Sequence, residues 1–352
     1  MENRMSFLLY GAYGYTGHLI AEMAVERGLR PVLAGRNADK LAALAGALDL
    51  DYQAFALDDP ATLDAALAEV PLVLHCAGPF VRTAGPMAEA CLRTGTHYLD
   101  VTGEISVYEQ LAALDAQARA AEVMLLPGVG FDVVPTDCLA LHLKHRLPSA
   151  THLELAIMGS GGLSHGTATT MVENIGSGGA VRRDGRLEPV PAAWKRREVD
   201  FGRGPVTVVS IPWGDVATAY HSTGIPNIVV YAALGKRAPG LMWLTRYTGW
   251  LLASPPAQAF FKWMIRRQPP GPNAEQRARG RSFVWGTVWD DSGGRATARL
   301  KGPEGYAFTA LAALALAQKV LDGGAVVGFQ TPAKAFGPDF VLDIEGVTRV
   351  DL

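Results

Sequence analysis

Apolar runs of strand length alternate with segments of helical period through the first part of the chain, and short connections join them. Phe7-Leu8-Leu9-Tyr10, Pro31-Val32-Leu33-Ala34, Tyr52 to Ala56, Leu72-Val73-Leu74-His75, Tyr98-Leu99-Asp100-Val101 and Val123-Met124-Leu125-Leu126 read as strands. Between them the pattern predicts helices from Leu19, from Asn37 to Leu48, from Pro60 to Leu67, from Gly85 to Arg93 and from Val107 to Ala121. Such alternation predicts an α/β fold whose N-terminal domain, residues 1–145, is a doubly wound parallel Rossmann sheet.

The rhythm then changes. Thr151 to Met158 and Val206 to Ile211 read as strands, and Val284 to Trp289 with Ala296 to Leu300 read as a hairpin over Asp290-Asp291-Ser292-Gly293-Gly294. This predicts a second α+β domain over residues 146–303, on a mixed or antiparallel sheet. The basic, proline-containing stretch from Arg182 to Arg203 reads as a loop or extension. A helix is expected from Glu304 to Leu321, and residues 304–352 are candidates to rejoin the first domain. At 352 residues the chain exceeds one ordinary core, so two domains are expected.

Chemistry enters at the first strand-to-helix crossing, Gly11-Ala12-Tyr13-Gly14-Tyr15-Thr16-Gly17. A dinucleotide pyrophosphate needs this geometry: Gly11 for the tight turn, Gly14 for backbone approach, and Gly17 for close packing of helix on strand. Helix amides and the positive end of the helix meet the anion. The second strand ends in Gly35-Arg36, where an NAD enzyme places an acid for the ribose hydroxyls. A guanidinium there suits a 2′-phosphate, so NADP(H) is preferred over NAD(H).

Composition narrows the setting. The chain is 49% apolar and 19% charged, with a formal net charge of -2, which gives no global basicity for nucleic acid. Cys76, Cys91 and Cys138 lack metal-ligand spacing and a disulfide framework, so no metal is expected and a reducing cytoplasm fits. The N-terminus shows no signal-peptide pattern, and the apolar run Thr309 to Ala317 is too short to span a bilayer.

Ligands of doubly wound sheets lie outside the carboxyl ends of the strands. That rule selects Ala77, Gly78, Pro79 and Phe80 as a wall for the nicotinamide end of the cofactor. Asp58 either reaches the adenine ribose or, with Asp59-Pro60, opens a helix. His75 reads as a core histidine more readily than as a proton donor. Tyr98, Asp100 and Glu104 surround the end of the fifth strand and Asp132 follows the sixth; Asp100 suits a turn, Glu104 a cap on the helix after it, and Asp132 the catalytic crevice. In the second domain, Ser160 to Thr167 is either a substrate-binding loop or a glycine-rich turn with Thr167 as cap, and His165 is a candidate proton donor. His142 and His145 show no acidic partner and read as a solvated helix face. The segment 241–267 carries Trp243, Tyr247, Trp250, Phe260, Phe261 and Trp263 beside Lys262, Arg266 and Arg267. A peripheral membrane contact, a lid over an acyl substrate, a homodimer contact and plain packed helices all stay open for it.

Several segments together resemble the saccharopine dehydrogenase-like oxidoreductases, in particular the branch of trans-acting enoyl reductases. They are the Gly11 to Gly17 turn, Ala34-Gly35-Arg36, Cys76-Ala77-Gly78-Pro79-Phe80, Tyr98 to Glu104, Pro127 to Asp137, Gly166-Thr167, Arg277-Ala278-Arg279-Gly280 and Thr331-Pro332-Ala333. Tyr13 departs from the pattern, where similar chains carry Thr. The resemblance implies an NADPH-dependent enzyme acting on a small-molecule or acyl-thioester substrate, plausibly reducing the C=C bond of an enoyl thioester in lipid or polyketide synthesis. It leaves open imine reduction of the saccharopine type and a noncatalytic, membrane-associated nucleotide-binding role. Protonation is open among His165, Tyr98 and water.

Overall fold

The computed structural model describes residues 7–159, 162–176, 178–234 and 247–352. Two compact units emerge, one from the chain up to Val134 together with Tyr306–Ala335, the other from Pro135–Gly305 together with Phe336–Leu352.

In the first unit, strands β1 (Leu8–Tyr10), β2 (Val32–Gly35), β3 (Tyr52–Ala54), β4 (Leu72–His75), β5 (His97–Asp100) and β6 (Met124–Leu126) lie in the order β6-β5-β4-β1-β2-β3. Every pair is parallel. The chain starts in the middle, winds to one edge and crosses back, so the order reverses between β1 and β4 and opens a crevice there. Leu8, Leu9, Leu33 and Leu72 to Leu74 are wholly buried, as continuous apolar strands covered on both faces must be. Helices α1 (Tyr15–Glu26), α2 (Ala38–Leu48), α3 (Pro60–Ala68), α4 (Phe80–Thr94), α5 (Ile105–Ala112) and α6 (Asp115–Ala120) make the connections. The Asn37 and Asp59 side chains cap α2 and α3 by accepting from the Lys40 and Thr62 amides. Two boundaries differ from expectation: α4 begins at Phe80 rather than Gly85, and the single helix expected over 107–121 breaks into α5 and α6 at a turn.

The second unit holds α7 (Val134–Arg146), β7 (His152–Gly159), α8 (His165–Glu173), β8 (Gly179–Arg183), β9 (Arg186–Val190), β10 (Arg196–Asp200), β11 (Pro205–Ser210), α9 (Asp215–Thr223), β12 (Asn227–Ala232), β13 (Arg281–Trp289) and β14 (Arg295–Pro303). β7 pairs parallel with β12 and antiparallel with β13, so the sheet is mixed. The β13/β14 hairpin forms over the expected turn, where Asp290 accepts from the Ser149 and Ser292 hydroxyls and the Ser292 and Gly294 amides. Those donors, led by the Ser149 hydroxyl, pull its carboxyl down to about 2.

The stretch from Arg182 to Arg203 is not a loop: it lies largely in β8, β9 and β10. Its arginines find partners that local pattern does not show. Arg182 stacks on the Tyr220 ring at 4.2 Å and donates to the Val216 and Gly185 carbonyls. Arg197 lies over the Trp285 ring at 4.7 Å. His142 likewise has an acidic partner after all, since its Nε2 sits 2.8 Å from Asp351 Oδ1, which also pairs with Arg146 at 2.9 Å.

The last two strands go to different units. β15 (Gly328–Phe329) adds a seventh parallel strand beside β6, and β16 (Thr348–Asp351) pairs antiparallel with β14. Preceding β15, the helix Gly305–Lys319 buries Phe308, Leu314 and Leu316 within the first unit, where the Phe131 amide donates to Thr309 Oγ1 and the Phe131 and Phe308 rings meet edge to face.

Candidate functional site

The turn between β1 and α1 is built by glycines, two of which leave no room for a Cβ. Gly11 has φ +86°, and a Cβ there would stand 2.8 Å from the Ala77 nitrogen; one on Gly17 would stand 2.4 Å from the Gly11 carbonyl oxygen. Gly14 donates its amide to that same carbonyl at 3.0 Å and takes the N-cap position of α1, which has no side-chain cap. A tight turn therefore ends in a helix N-terminus that no N-cap side chain closes, the kind of site that accepts an anion. This cradle, which a Cβ would fill, fits a dinucleotide pyrophosphate.

Beyond the cradle lie the residues expected at the adenosine end. The Tyr13 ring rests on Gly35, where a Cβ would stand 2.7 Å from Tyr13 Cε1. Lys40 Nζ stands 5.7 Å from the centre of that ring. Arg36 and Asp58 are exposed, and with Tyr13 they act electrostatically on the Tyr10 hydroxyl, which burial raises to about 12. Tyr10 donates to the Phe55 carbonyl at 3.2 Å. Lys40 is a residue that sequence reasoning did not nominate; its signal was a cation on the first turn of α2, three residues past the Asn37 cap that follows Arg36.

At the end of β4, Cys76-Ala77-Gly78-Pro79 leads into α4, with a cis Gly78–Pro79 peptide. Thr83 Oγ1 donates back to the Ala77 carbonyl at 2.8 Å. Glu104 caps α4 rather than the helix that follows it: its two carboxylate oxygens accept from the Phe80 and Val81 amides, both at 3.0 Å. A carboxylate from β5's far end thereby fixes the Phe80 turn and starts α4 early. Phe80 meets His75 edge to face at 5.3 Å, and His75 lies 5.5 Å from the Tyr10 ring. His75 is wholly buried, and neither ring nitrogen has a hydrogen-bond partner among the described residues. Burial drives its pKa down to about 3, so it stands as a neutral aromatic floor.

The ends of β5 and β6 hold two carboxyl groups in different surroundings. Asp100 is buried and accepts from the Tyr98 hydroxyl at 2.5 Å and from the Thr102 and Gly128 amides at 3.0 and 2.9 Å. It ties the two strand ends together, and burial raises its carboxyl to about 6 in spite of those donors. Tyr98 is wholly buried, and its hydroxyl is pushed well above its ordinary range, first by burial and then by Asp100. Asp132 is half-buried, raised by burial to about 6, and a Cβ on Gly103 would stand 2.8 Å from its Oδ2. The chain thus brings Asp132 against the glycine that precedes Glu104.

Tyr98 and Asp132 lie in the first unit and His165 in the second. His165 opens α8, and its Nε2 donates to the Gln268 carbonyl at 2.8 Å. Ser164, not Thr167, is the cap of α8, accepting from the Thr167 amide. Ser160 and Gly161 lie outside the described residues, as do Leu241 to Arg246 with Trp243. Among the described residues no cluster of His, Cys, Asp and Glu suits a metal, and no helix is long and apolar enough to cross a membrane.

An open parallel sheet, a glycine cradle and a basic adenosine end define a nicotinamide-dinucleotide-binding domain of the Rossmann type. Residues 7–126 match the family model of the saccharopine dehydrogenase NADP binding domain, a match that supports NADP(H) as the cofactor. A trans-acting enoyl reductase of Mycobacterium leprae is 35% identical over 154 residues, 42% of this chain and 37% of that protein. A putative trans-acting enoyl reductase of Mycobacterium tuberculosis is 33% identical over 186 residues, covering 47% of this chain and 43% of its own length. The match therefore spans less than half of these relatives. Apo saccharopine dehydrogenase (L-Glu forming) of Saccharomyces cerevisiae shares the fold, with a TM-score of 0.66 at 12% identity over 99% of this chain and 100% of that one.

Proposed function

We propose that the protein is an NADPH-dependent reductase of the C=C bond of an enoyl thioester or a related lipid or polyketide intermediate. The observation that carries the reading is the NADP binding domain joined to the likeness to trans-acting enoyl reductases. When bound, NADPH supplies the hydride. The Gly11 to Gly17 cradle would hold its pyrophosphate, Arg36 with Lys40 its 2′-phosphate, and Gly78, Pro79 and Phe80 its nicotinamide end. Glu104 keeps the Phe80 turn in one conformation, and His75 and Tyr10 exclude water beneath it.

Protonation of the acceptor falls to Asp132 in this reading. Its half-buried carboxyl, raised to about 6, holds a proton over a wider range than an ordinary acid. Tyr98 is committed to Asp100 and His165 to the Gln268 carbonyl. The three thiols fit a cytoplasmic setting.

Arg36→Ala is expected to weaken NADPH about 10–100-fold while leaving NADH within about twofold, since one charge-assisted contact is removed. Isothermal titration of both nucleotides checks this, and an unchanged NADPH affinity overturns the phosphate assignment. Oxidation of NADPH against a panel of enoyl thioesters and imine-forming pairs tests the reaction. Turnover of the imine pairs alone assigns saccharopine-type chemistry instead, and silence across the panel with NADPH bound assigns a noncatalytic role.

A further inference from the structure

The second unit presents large apolar side chains to solvent in two adjoining segments. Tyr247, Trp250 and Leu251 are 64%, 78% and 52% exposed, and Phe260, Trp263 and Met264 are 55%, 49% and 41% exposed. The latter three sit on the helix Pro255–Arg266, which has no buried residue. Scattered exposed leucines are ordinary, whereas two tryptophans, a tyrosine and a phenylalanine exposed within one short run of sequence are the mark of an interaction surface. The platform is anchored from behind: Lys262 pairs with Glu173 of α8 at 2.6 Å, and Gly249 lies so close to Gly176 that a Cβ would stand 3.0 Å from its Cα.

Charge identifies the partner. From residue 247 to residue 274 the sequence holds Lys262, Arg266 and Arg267 and no acid, in a chain whose net charge is -2. With Lys262 matched by Glu173, Arg266 and Arg267 remain, and the Arg267 guanidinium lies 3.9 Å from the centre of the Trp263 ring. Phe260 stacks on the same tryptophan with centroids 6.0 Å apart. Aromatic rings beside cations match the boundary between acyl chains and anionic headgroups, where indole sits at the interface and guanidinium meets phosphate. No helix among the described residues is long and apolar enough to cross, so such a surface lies on a membrane and does not span it.

We propose that the face formed by Tyr247, Trp250, Leu251, Phe260, Trp263 and Met264, rimmed by Arg266 and Arg267, docks the protein on an anionic lipid surface. The proposal is independent of the acceptor and of the cofactor assignment.

Co-sedimentation of the full chain with vesicles tests it, using phosphatidylcholine alone and phosphatidylcholine with phosphatidylglycerol at about 30%. Partition onto the mixed vesicles is expected to exceed that onto the neutral ones at least about tenfold and to fall with added salt. Trp250→Ser with Trp263→Ser should cut partition at least about tenfold through lost apolar burial. Arg266→Glu with Arg267→Glu should erase the preference for the anionic vesicles. Both variants are expected to keep the parent's NADPH affinity, which reports on folding away from the patch. Absence of vesicle binding, or binding untouched by either variant, overturns the proposal. So does self-association of the parent in sedimentation velocity that the tryptophan variant abolishes, because the face then belongs to a second copy of the chain.

Discussion

Two strand-to-helix crossings in this molecule are rich in small residues, and they are built on opposite principles. Between β1 and α1, Gly11 and Gly17 are forced by contact, and the helix N-terminus has no side-chain cap. Between β7 and α8 the described glycines are under no such pressure. A Cβ on Gly162 meets nothing within 4 Å, one on Gly166 meets only Ser164 Oγ at 3.7 Å, and Ser164 itself caps the helix. Glycine content alone therefore does not mark an anion site. What marks it is a turn so tight that Cβ atoms collide, ending in a helix start that no side chain of its own closes.

The sharpest way to break this contrast is Gly17→Ala. Its Cβ would collide with backbone, so a loss of about 3 kcal/mol or more is expected, with NADPH binding abolished in titration. Retention of parent-like melting and binding would show that the cradle is looser than its contacts imply.

The floor beneath the first crossing offers a test through pH. His75 titrates at about 3 against an ordinary 6.5, so its neutral form stabilises the fold above pH 6.5 and that contribution is lost as pH falls toward 3. Asp100 and Asp132 run the other way: raised to about 6, they favour the folded state at low pH and cost stability as pH climbs from about 4 to 6. His75→Leu should remove a pH-dependent loss on the order of a few kcal/mol. The urea midpoint of the variant should then rise relative to that of the parent as pH falls from 7 to 3. Parallel curves would mean that the imidazole is hydrated.

Smaller effects probe the second crossing. Ser164→Ala is expected to cost about 1 kcal/mol of helix capping, seen as a lower melting temperature without change in NADPH affinity. Gly166→Ala, on the first turn of α8, is expected to be neutral or to stabilise by up to about 1 kcal/mol, as Gly to Ala does in helices. A severe loss of turnover from the latter, with stability kept, would return this loop to the list of substrate contacts.

The first crossing was legible because everything it needs is local: a strand, spaced glycines and a helix within one short stretch, with β4 ending at His75 as its apolar run does. Glu104 was misread because its partners, the Phe80 and Val81 amides, come from a different strand end, and local pattern favours a cap on the helix beside it. Distance in sequence also hid Asp351, the partner of His142. β8 to β10 failed for another reason. Arginine reads as solvent-seeking, yet its long stem packs on rings such as Tyr220 and Trp285 while its head finds carbonyls. The proton donor was left open by sequence for lack of geometry, and Asp132 gained weight only once Gly103 was seen against its carboxylate.

The order in which the chain visits its units has a consequence for synthesis. The first unit is left at Val134, rejoined over Tyr306–Ala335 and left again, so β15 reaches its sheet only after the whole body of the second unit has been made. A nascent chain with the six strands β1 to β6 in place still presents the β6 edge, while β14 waits for β16. Neither unit can be cut out as one continuous gene segment, because the first takes in Tyr306–Ala335 and the second Phe336–Leu352.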